Sequence, residues 1–432
     1  FNKQLAEFID GSPTPFHAVA NIASLLLEAG FQVLSESEDW TLKQGEKYFV
    51  TRNGSSIIAF VAGSEDLAES GIRMAGAHTD SPCLMVKPQP EMLNNKYFQL
   101  GVEVYGGALL NPWFDRDLSL AGRLVYSDVS GQLKQKLVNF DEAIAIIPSL
   151  AIHLDRTANK DRTINSQTDI PPILMQAEET TDFRELLAQH FLSDNEKVMD
   201  YELCFYDVQG AATVGLKKEF FAAARLDNLL SCFVATKALI DADTVSTSVL
   251  VCNDHEEVGS VSSVGADGPF LESVVDRLCN DLCPDKRASN KARVLDGSLL
   301  ISCDNAHAVH PNFADKHEAG HKPELNGGPV IKVNSNQRYA TNGVTSSLFR
   351  QLCDQVDVPV QSFVTRTDLG CGSTIGPVTA AKLGIPTLDV GIPQLAMHSC
   401  RELTGALDPE RLSRVLTRFF NQPGRLQITV GG

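Results

Sequence analysis

The chain has 432 residues, 43% hydrophobic and 21% charged, an ordinary composition for a soluble globular protein. Its net charge of −17 argues against a nucleic-acid partner, which calls for basic clusters. No apolar run reaches the roughly 18 residues of a membrane span, and the length predicts two or three domains, not one core.

Read from the start, "SPTPFHAVANIASLLLEAGF" predicts a helix entered through Pro and left at Gly30, with Val19, Ile22, Leu25 and Leu26 on one face. Two short apolar strands follow, "IIAFVAG" and "IRMAGA", the second ending directly at His78. Residues 88–222 have a different texture. "YFQLGVEVYGG", "LSLAGRLVYSD", "GQLKQKLVNF" and "YELCFYDV" read as mainly antiparallel strands, with one helix at "TDFRELLAQHFL" and a long polar loop over 155–169. From Leu226 the pattern returns to helix and strand: "LDNLLSCFVATKALI", then "STSVLVC", "GSLLISC", "VQSFVT" and "IPTLDVG", and a last helix "DPERLSRVLTRFF". The expected fold is therefore α/β. An α/β domain with a mostly parallel sheet flanked by helices (1–87 and 223–432) is interrupted by a β-rich insert (88–222).

The ten cysteines are scattered from Cys83 to Cys400, mostly within apolar patterns, which predicts free thiols in a reducing, cytoplasmic setting. Cys279 and Cys283 lack the second pair that a zinc knuckle needs. No signal peptide opens the sequence, and Phe1 in place of an initiator Met leaves room for a trimmed presequence.

Ligands of open α/β sheets bind beyond the carboxyl ends of the strands. Five segments deliver a carboxylate or an imidazole there: His78 with Asp80, Asp227, Glu256 with Glu257, Asp304 with His307, and His398. Singly each has an ordinary explanation, Asp227 as a helix cap and Asp304 as a turn residue. Jointly they are the oxygen and nitrogen donors of a zinc site. If two dications share Asp227, with Glu257 and His398 on one and His78 and Asp304 on the other, three carboxylates leave a single positive charge for a hydroxide to neutralise. A lone dication would leave excess negative charge in a desolvated pocket. No Gly-x-Ser-x-Gly elbow, Walker loop or dinucleotide fingerprint appears. "DLGCGSTIGP" (368–377) lacks a P-loop Lys and reads as a substrate-pocket wall.

The motifs "AGAHTDSPCL", "ARLDNL", "DHEEVGS", "SCDNAHAVHPN", "GPVIKVNSNQRYATN" and "MHSCRE", in this order, resemble the aspartyl aminopeptidase family of co-catalytic zinc metallopeptidases, its bacterial members above all. The resemblance implies two zinc ions per subunit, cobalt or manganese being able to suit the same donors. It implies His78, Asp227, Glu257, Asp304 and His398 as ligands, Asp227 bridging, and Glu256 as general acid/base. Spacing alone allows the two glutamates to be exchanged. Asp80 is implied to orient His78, and His307, Lys332 and Tyr339 to contact substrate. His153 is implied to act on substrate in a neighbouring subunit's site, a metal-ligand role being the alternative. The expected activity is removal of the N-terminal residue, with acidic residues preferred, from peptides with a free amine. The expected assembly is a homo-oligomer, a dodecamer built from dimers through the insert. A broader or neutral-residue aminopeptidase is the alternative, and behind it an inactive scaffold or a related dinuclear carboxypeptidase or deacylase.

Overall fold

The computed structural model describes residues 1–426. Its centre is a nine-stranded sheet in the order Gln32–Val33, Lys47–Arg52, Ser56–Val61, Thr247–Asn253, Ile72–His78, Leu299–Cys303, Thr387–Gly391, Val330–Val333, Gln361–Val364. The four middle strands of this series, from Thr247–Asn253 to Thr387–Gly391, run parallel to one another. They are buried on both faces, which is why they read as unbroken apolar runs without alternation. One face packs under Pro15–Glu28, Leu226–Ile240 and Asp408–Phe420 through Leu26, Phe233, Leu239, Leu416 and Phe419. The other is covered by Phe270–Leu282, whose Phe270, Val274 and Leu278 meet Phe60, Met74 and Leu300. Removing each such side chain from water contributes about 1.5–3 kcal/mol.

The helices begin where local chemistry allows. Pro15 occupies the first turn of Pro15–Glu28, where its missing N–H costs nothing. Asn342 and Thr345 close a reciprocal cap on Gly343–Gln355. Thr374 caps Ile375–Leu383, placing the end of the glycine-rich stretch at a helix entrance.

A six-stranded, wholly antiparallel sheet follows the order Leu133–Asn139, Leu118–Ser127, Lys197–Asp207, Cys83–Asn94, Tyr97–Tyr105, Ile173–Gln176. The helix Phe183–Phe191 packs on it through Phe183 and Leu187. The strand Cys83–Asn94 is hidden in the sequence by Pro88 and Pro90. Its pairing is broken between Val86 and Glu91, an irregularity that accommodates proline in a strand. The polar stretch 155–169 contains neither helix nor strand.

A third sheet of short strands was not readable from periodicity: Ala212–Val214, Phe220–Ala223, Glu402–Gly405, Pro393–Leu395, Ala306–His307. It holds the segments leading to Asp227, His307 and His398 beside the edge of the main sheet. All ten cysteines are free thiols. Among the described residues no helix is long and apolar enough to cross a membrane.

Candidate metal centre

The parallel strands end together, and their ends carry the donors. His78 is the last residue of Ile72–His78 and lies opposite Asn253 in the ladder. Asp304 follows Cys303, and Gly391 is pressed against it: a Cβ at Gly391 would fall 2.0 Å from the Asp304 carbonyl oxygen. Only glycine permits that approach. Glu256 and Glu257 open a single turn, Glu256–Val258, flanked by His255 (φ 63°) and Gly259 (φ 99°). The left-handed residue on either side reverses the chain sharply and turns both carboxylates to the strand edge. Asp227 stands at the entrance of Leu226–Ile240, where it and Asn228 have non-helical backbone and the N-cap position is held by Arg225. Ser81 donates to the Asp227 carbonyl (2.6 Å) and Asn228 to the Cys303 carbonyl (2.8 Å), fixing that entrance.

These segments converge. His78 Nε2 lies 3.3 Å from Asp227 Oδ1, and His398 Nε2 lies 3.6 Å from Asp227 Oδ2 and 3.4 Å from Glu257 Oε2. Two groups of donor atoms, each within 4.8 Å of one another, are His78–Asp227–Asp304 and Asp227–Glu257–His398, with Asp227 common to both. His78, Glu256 and Glu257 form a third.

The donor chemistry fits cations. His78 Nδ1 sits 3.0 Å from the Asp80 carbonyl and His398 Nδ1 sits 3.1 Å from the Gly107 carbonyl. A carbonyl only accepts, so both protons are on Nδ1 and both Nε2 atoms face carboxylate oxygens. Such a pair needs a proton or a metal ion between its atoms. Asp227 Oδ1 and Glu257 Oε1 are moreover buried without a hydrogen-bond partner among the described residues. That is a costly arrangement unless a cation takes them up.

The electrostatics report the same crowding. Burial, reinforced by Asp304, Asp227 and Asp80 against the pull of His78, pushes Glu256 up to about 8. Burial and the Asp227 charge push Glu257 to about 9. Burial opposes charge on His398, but Asp227 and Glu257 overcome it and raise the imidazole to about 10. His78 is raised well above its ordinary value in the same way, by Asp227 and Asp80 against burial.

A sequence model of the aminopeptidase I zinc metalloprotease family (M18) matches residues 8–420. The chain belongs to this family. It is 57% identical over 426 residues to the "Probable M18 family aminopeptidase 2" of Stutzerimonas stutzeri, covering 97% of this chain and 98% of that protein. It is 56% identical over 425 residues to the protein of the same name in Pseudomonas aeruginosa. Among solved structures, Ape4 in its complex with Nbr1 superimposes with a TM-score of 0.93 at 41% identity, over 97% of this chain and 85% of that one. The S. cerevisiae mApe1 dodecamer gives 0.84 at 31% identity, over 97% and 95%. The chain is thus an M18 metallopeptidase of the aminopeptidase type, with the mixed α/β fold expected from its sequence.

The remaining expected residues divide by position. His307, Lys332 and Tyr339 line a cleft of about 440 Å³ that also exposes His78, Asp227, Glu256, Asp304 and His398. Gly372, Ser373 and Thr374 form part of its wall, within the glycine-rich stretch. His153 lies exposed on the loop between Leu133–Asn139 and Ile173–Gln176 and joins none of the donor groups among the described residues. Asp80 orients more than His78. Its carboxylate accepts the Glu256 and Glu257 amides (3.1 and 3.0 Å) and the Tyr105 hydroxyl (2.7 Å), so one buried side chain steadies the whole glutamate turn.

Three positioning groups escaped the sequence reading. Glu402 accepts the Asp227 amide (3.0 Å) and the His398 amide (2.7 Å), tying two donor-bearing segments together. Tyr105 and Gly107 reach the site from the end of the strand Tyr97–Tyr105, one holding Asp80 and the other His398. Glu402 sits inside the quoted "MHSCRE", and Tyr105 and Gly107 inside "VEVYGG". Their partners are far away in sequence, so nothing local marks them.

Proposed function

We propose that the protein is a dinuclear zinc aminopeptidase that removes the N-terminal residue from peptides, with preference for Asp or Glu. The observation that supports this most is the sharing of Asp227 between two donor groups, each completed by one histidine and one further carboxylate. Asp227 would bridge two zinc ions, one also held by His78 and Asp304, the other by Glu257 and His398. Bound there, the ions supply Lewis-acid polarisation of the scissile carbonyl and acidify water.

The chain's own residues do the rest. Among the described residues no group donates a hydrogen bond to the Glu256 carboxylate, whose Oε2 lies 3.9 Å from His78 Nε2, so it is not committed elsewhere and can exchange a proton. It takes the proton of the attacking water and returns it to the leaving amine. Asp80 holds the Glu256 amide and so fixes the position from which that transfer occurs. His398 and Glu257 are kept in place by Gly107 and Asp80.

Lys332 is the candidate for an acidic side chain. Its ammonium is 3% exposed, donates to the Asn305 carbonyl (3.1 Å), lies 3.6 Å from Asp304 Oδ1 and stands over the Tyr339 ring at 5.1 Å. An ammonium has three donors, and this one borders the cleft. In the same reading His307 and Tyr339 wall the substrate, and the exposed His153 acts on substrate in a neighbouring subunit. In this reading the insert (88–222) serves as the dimerisation surface of a cytoplasmic homo-oligomer; the solved S. cerevisiae mApe1 is itself a dodecamer.

The test of specificity is kcat/KM for Asp-, Glu- and Leu-anilides in the wild type and in Lys332→Ala. The acidic preference should fall about 10-fold or more, the worth of one charge-assisted hydrogen bond. An acidic preference that survives the substitution, or is absent from the wild type, defeats the assignment.

A further inference from the structure

Asp389 is a fully buried carboxylate in the middle of the strand Thr387–Gly391, and it belongs to none of the donor groups. A carboxylate between Leu388 and Val390 is expensive to bury unless something nearby requires it. Its two oxygens are both engaged. Oδ1 accepts the Thr374 hydroxyl at 2.6 Å, and Oδ2 accepts the Ala340 amide at 2.6 Å. Thr374 closes the glycine-rich wall of the cleft, and Ala340 follows Tyr339, which lines the cleft from another segment. Gly376 is packed so closely that a Cβ there would fall 2.3 Å from Asp389 Oδ1. The Asp389 amide donates to Thr341 Oγ1 at 2.9 Å, adding a second tie to the segment of Tyr339.

The same carboxylate faces the buried cation. Val330 pairs with Gly391 and Ile331 with Val390, so continuing that antiparallel register sets Lys332 opposite Asp389 on the same face of the sheet. Lys332 thus pairs with Asp304 at 3.6 Å and lies across the ladder from a second carboxylate, Asp389. Burial works against ionisation of Asp389, while the Lys332 charge, the Thr374 hydroxyl and the Ala340 amide favour it.

We propose that Asp389 is the positioning residue of the substrate cleft: it joins the Tyr339 and Thr374 walls and sets, as counter-charge, how much of the Lys332 charge the substrate's first side chain meets. This rests on the aminopeptidase reading above. Two substitutions separate the roles. In Asp389→Asn the amide oxygen still accepts the Ala340 N–H and the NH₂ donates to Thr374 Oγ1, so the walls stay joined and only the charge is lost. In Asp389→Ala both ties go.

The experiment measures kcat and KM for Asp- and Leu-4-nitroanilide, with zinc content, in the wild type and both variants. For Asp389→Asn the ratio of kcat/KM (Asp over Leu) should rise at least fivefold, because Lys332 is less neutralised. For Asp389→Ala KM should rise at least tenfold on both substrates with zinc content retained, and Asp389→Asn should restore the KM on Leu-anilide. An unchanged or lowered ratio in Asp389→Asn overturns the proposal, and so does zinc loss in that variant. Should Asp389→Ala not fold, the ratio in Asp389→Asn decides alone. Failure of the aminopeptidase reading would show separately, as absence of cleavage by the wild type.

Discussion

Glu256→Gln is expected to retain its metal and to lose roughly 10²–10⁴-fold in kcat, the usual contribution of general acid/base catalysis. Glutamine keeps the size of the side chain and leaves intact the Glu256 amide bond to Asp80 (3.1 Å), so the turn has no reason to move. What disappears is the ability to accept a proton from water. The neighbouring substitution gives the contrast. Glu257 lies 3.4 Å from His398 Nε2 and shares a donor group with Asp227, so Glu257→Gln should weaken metal binding. Spacing in the sequence allows the two glutamates to exchange roles, and this pair of variants tells them apart. Turnover near wild type in Glu256→Gln, or zinc loss there with zinc retention in Glu257→Gln, reverses the assignment.

Asp227→Ala should lower zinc content at both positions and bring activity to background. Its Oδ1 faces His78 and its Oδ2 faces His398, so one substitution removes an oxygen from each donor group. Asp304→Ala, by contrast, takes a donor from one group only. Asp227 is buried, and its amide is held by Glu402 at 3.0 Å. That bond is made by the backbone, so the segment keeps its anchor when the side chain is shortened. Asp227→Asn, close to isosteric, serves where the alanine variant proves unstable. Zinc measured after dialysis, with circular dichroism as the control for folding, gives the answer. A full complement of zinc in both Asp227 variants would mean that the residue is not shared between two ions.

The sequence made His78, Asp304 and the glutamate pair legible because each follows a strand whose apolar run is unmistakable. "IRMAGA" leads to His78 and "LLISC" to Asp304, and the parallel order of those strands then brings the donors together. The helix at Leu226 and the last helix, Asp408–Phe420, were legible from their 3.6-residue spacing. The third sheet was not, because strands of two to four residues such as Ala306–His307 and Pro393–Leu395 carry no period. The strand Cys83–Asn94 was masked by its prolines. Glu402 and Asp389 were invisible for a different reason. A buried carboxylate, at the start of a strand for Glu402 and in the middle of one for Asp389, declares its purpose only through partners such as the Asp227 amide or the Ala340 amide, and sequence separation hides those. Tyr105 shows the same limit across elements, since it belongs to the antiparallel sheet and yet serves Asp80.

The most direct test of the account compares one peptide with a free N-terminus and the same peptide N-acetylated, both incubated with the zinc-loaded protein. Mass spectrometry should show stepwise loss of the N-terminal residue from the free peptide alone. Cleavage of the acetylated peptide at a comparable rate, or release from the carboxyl end, would contradict it.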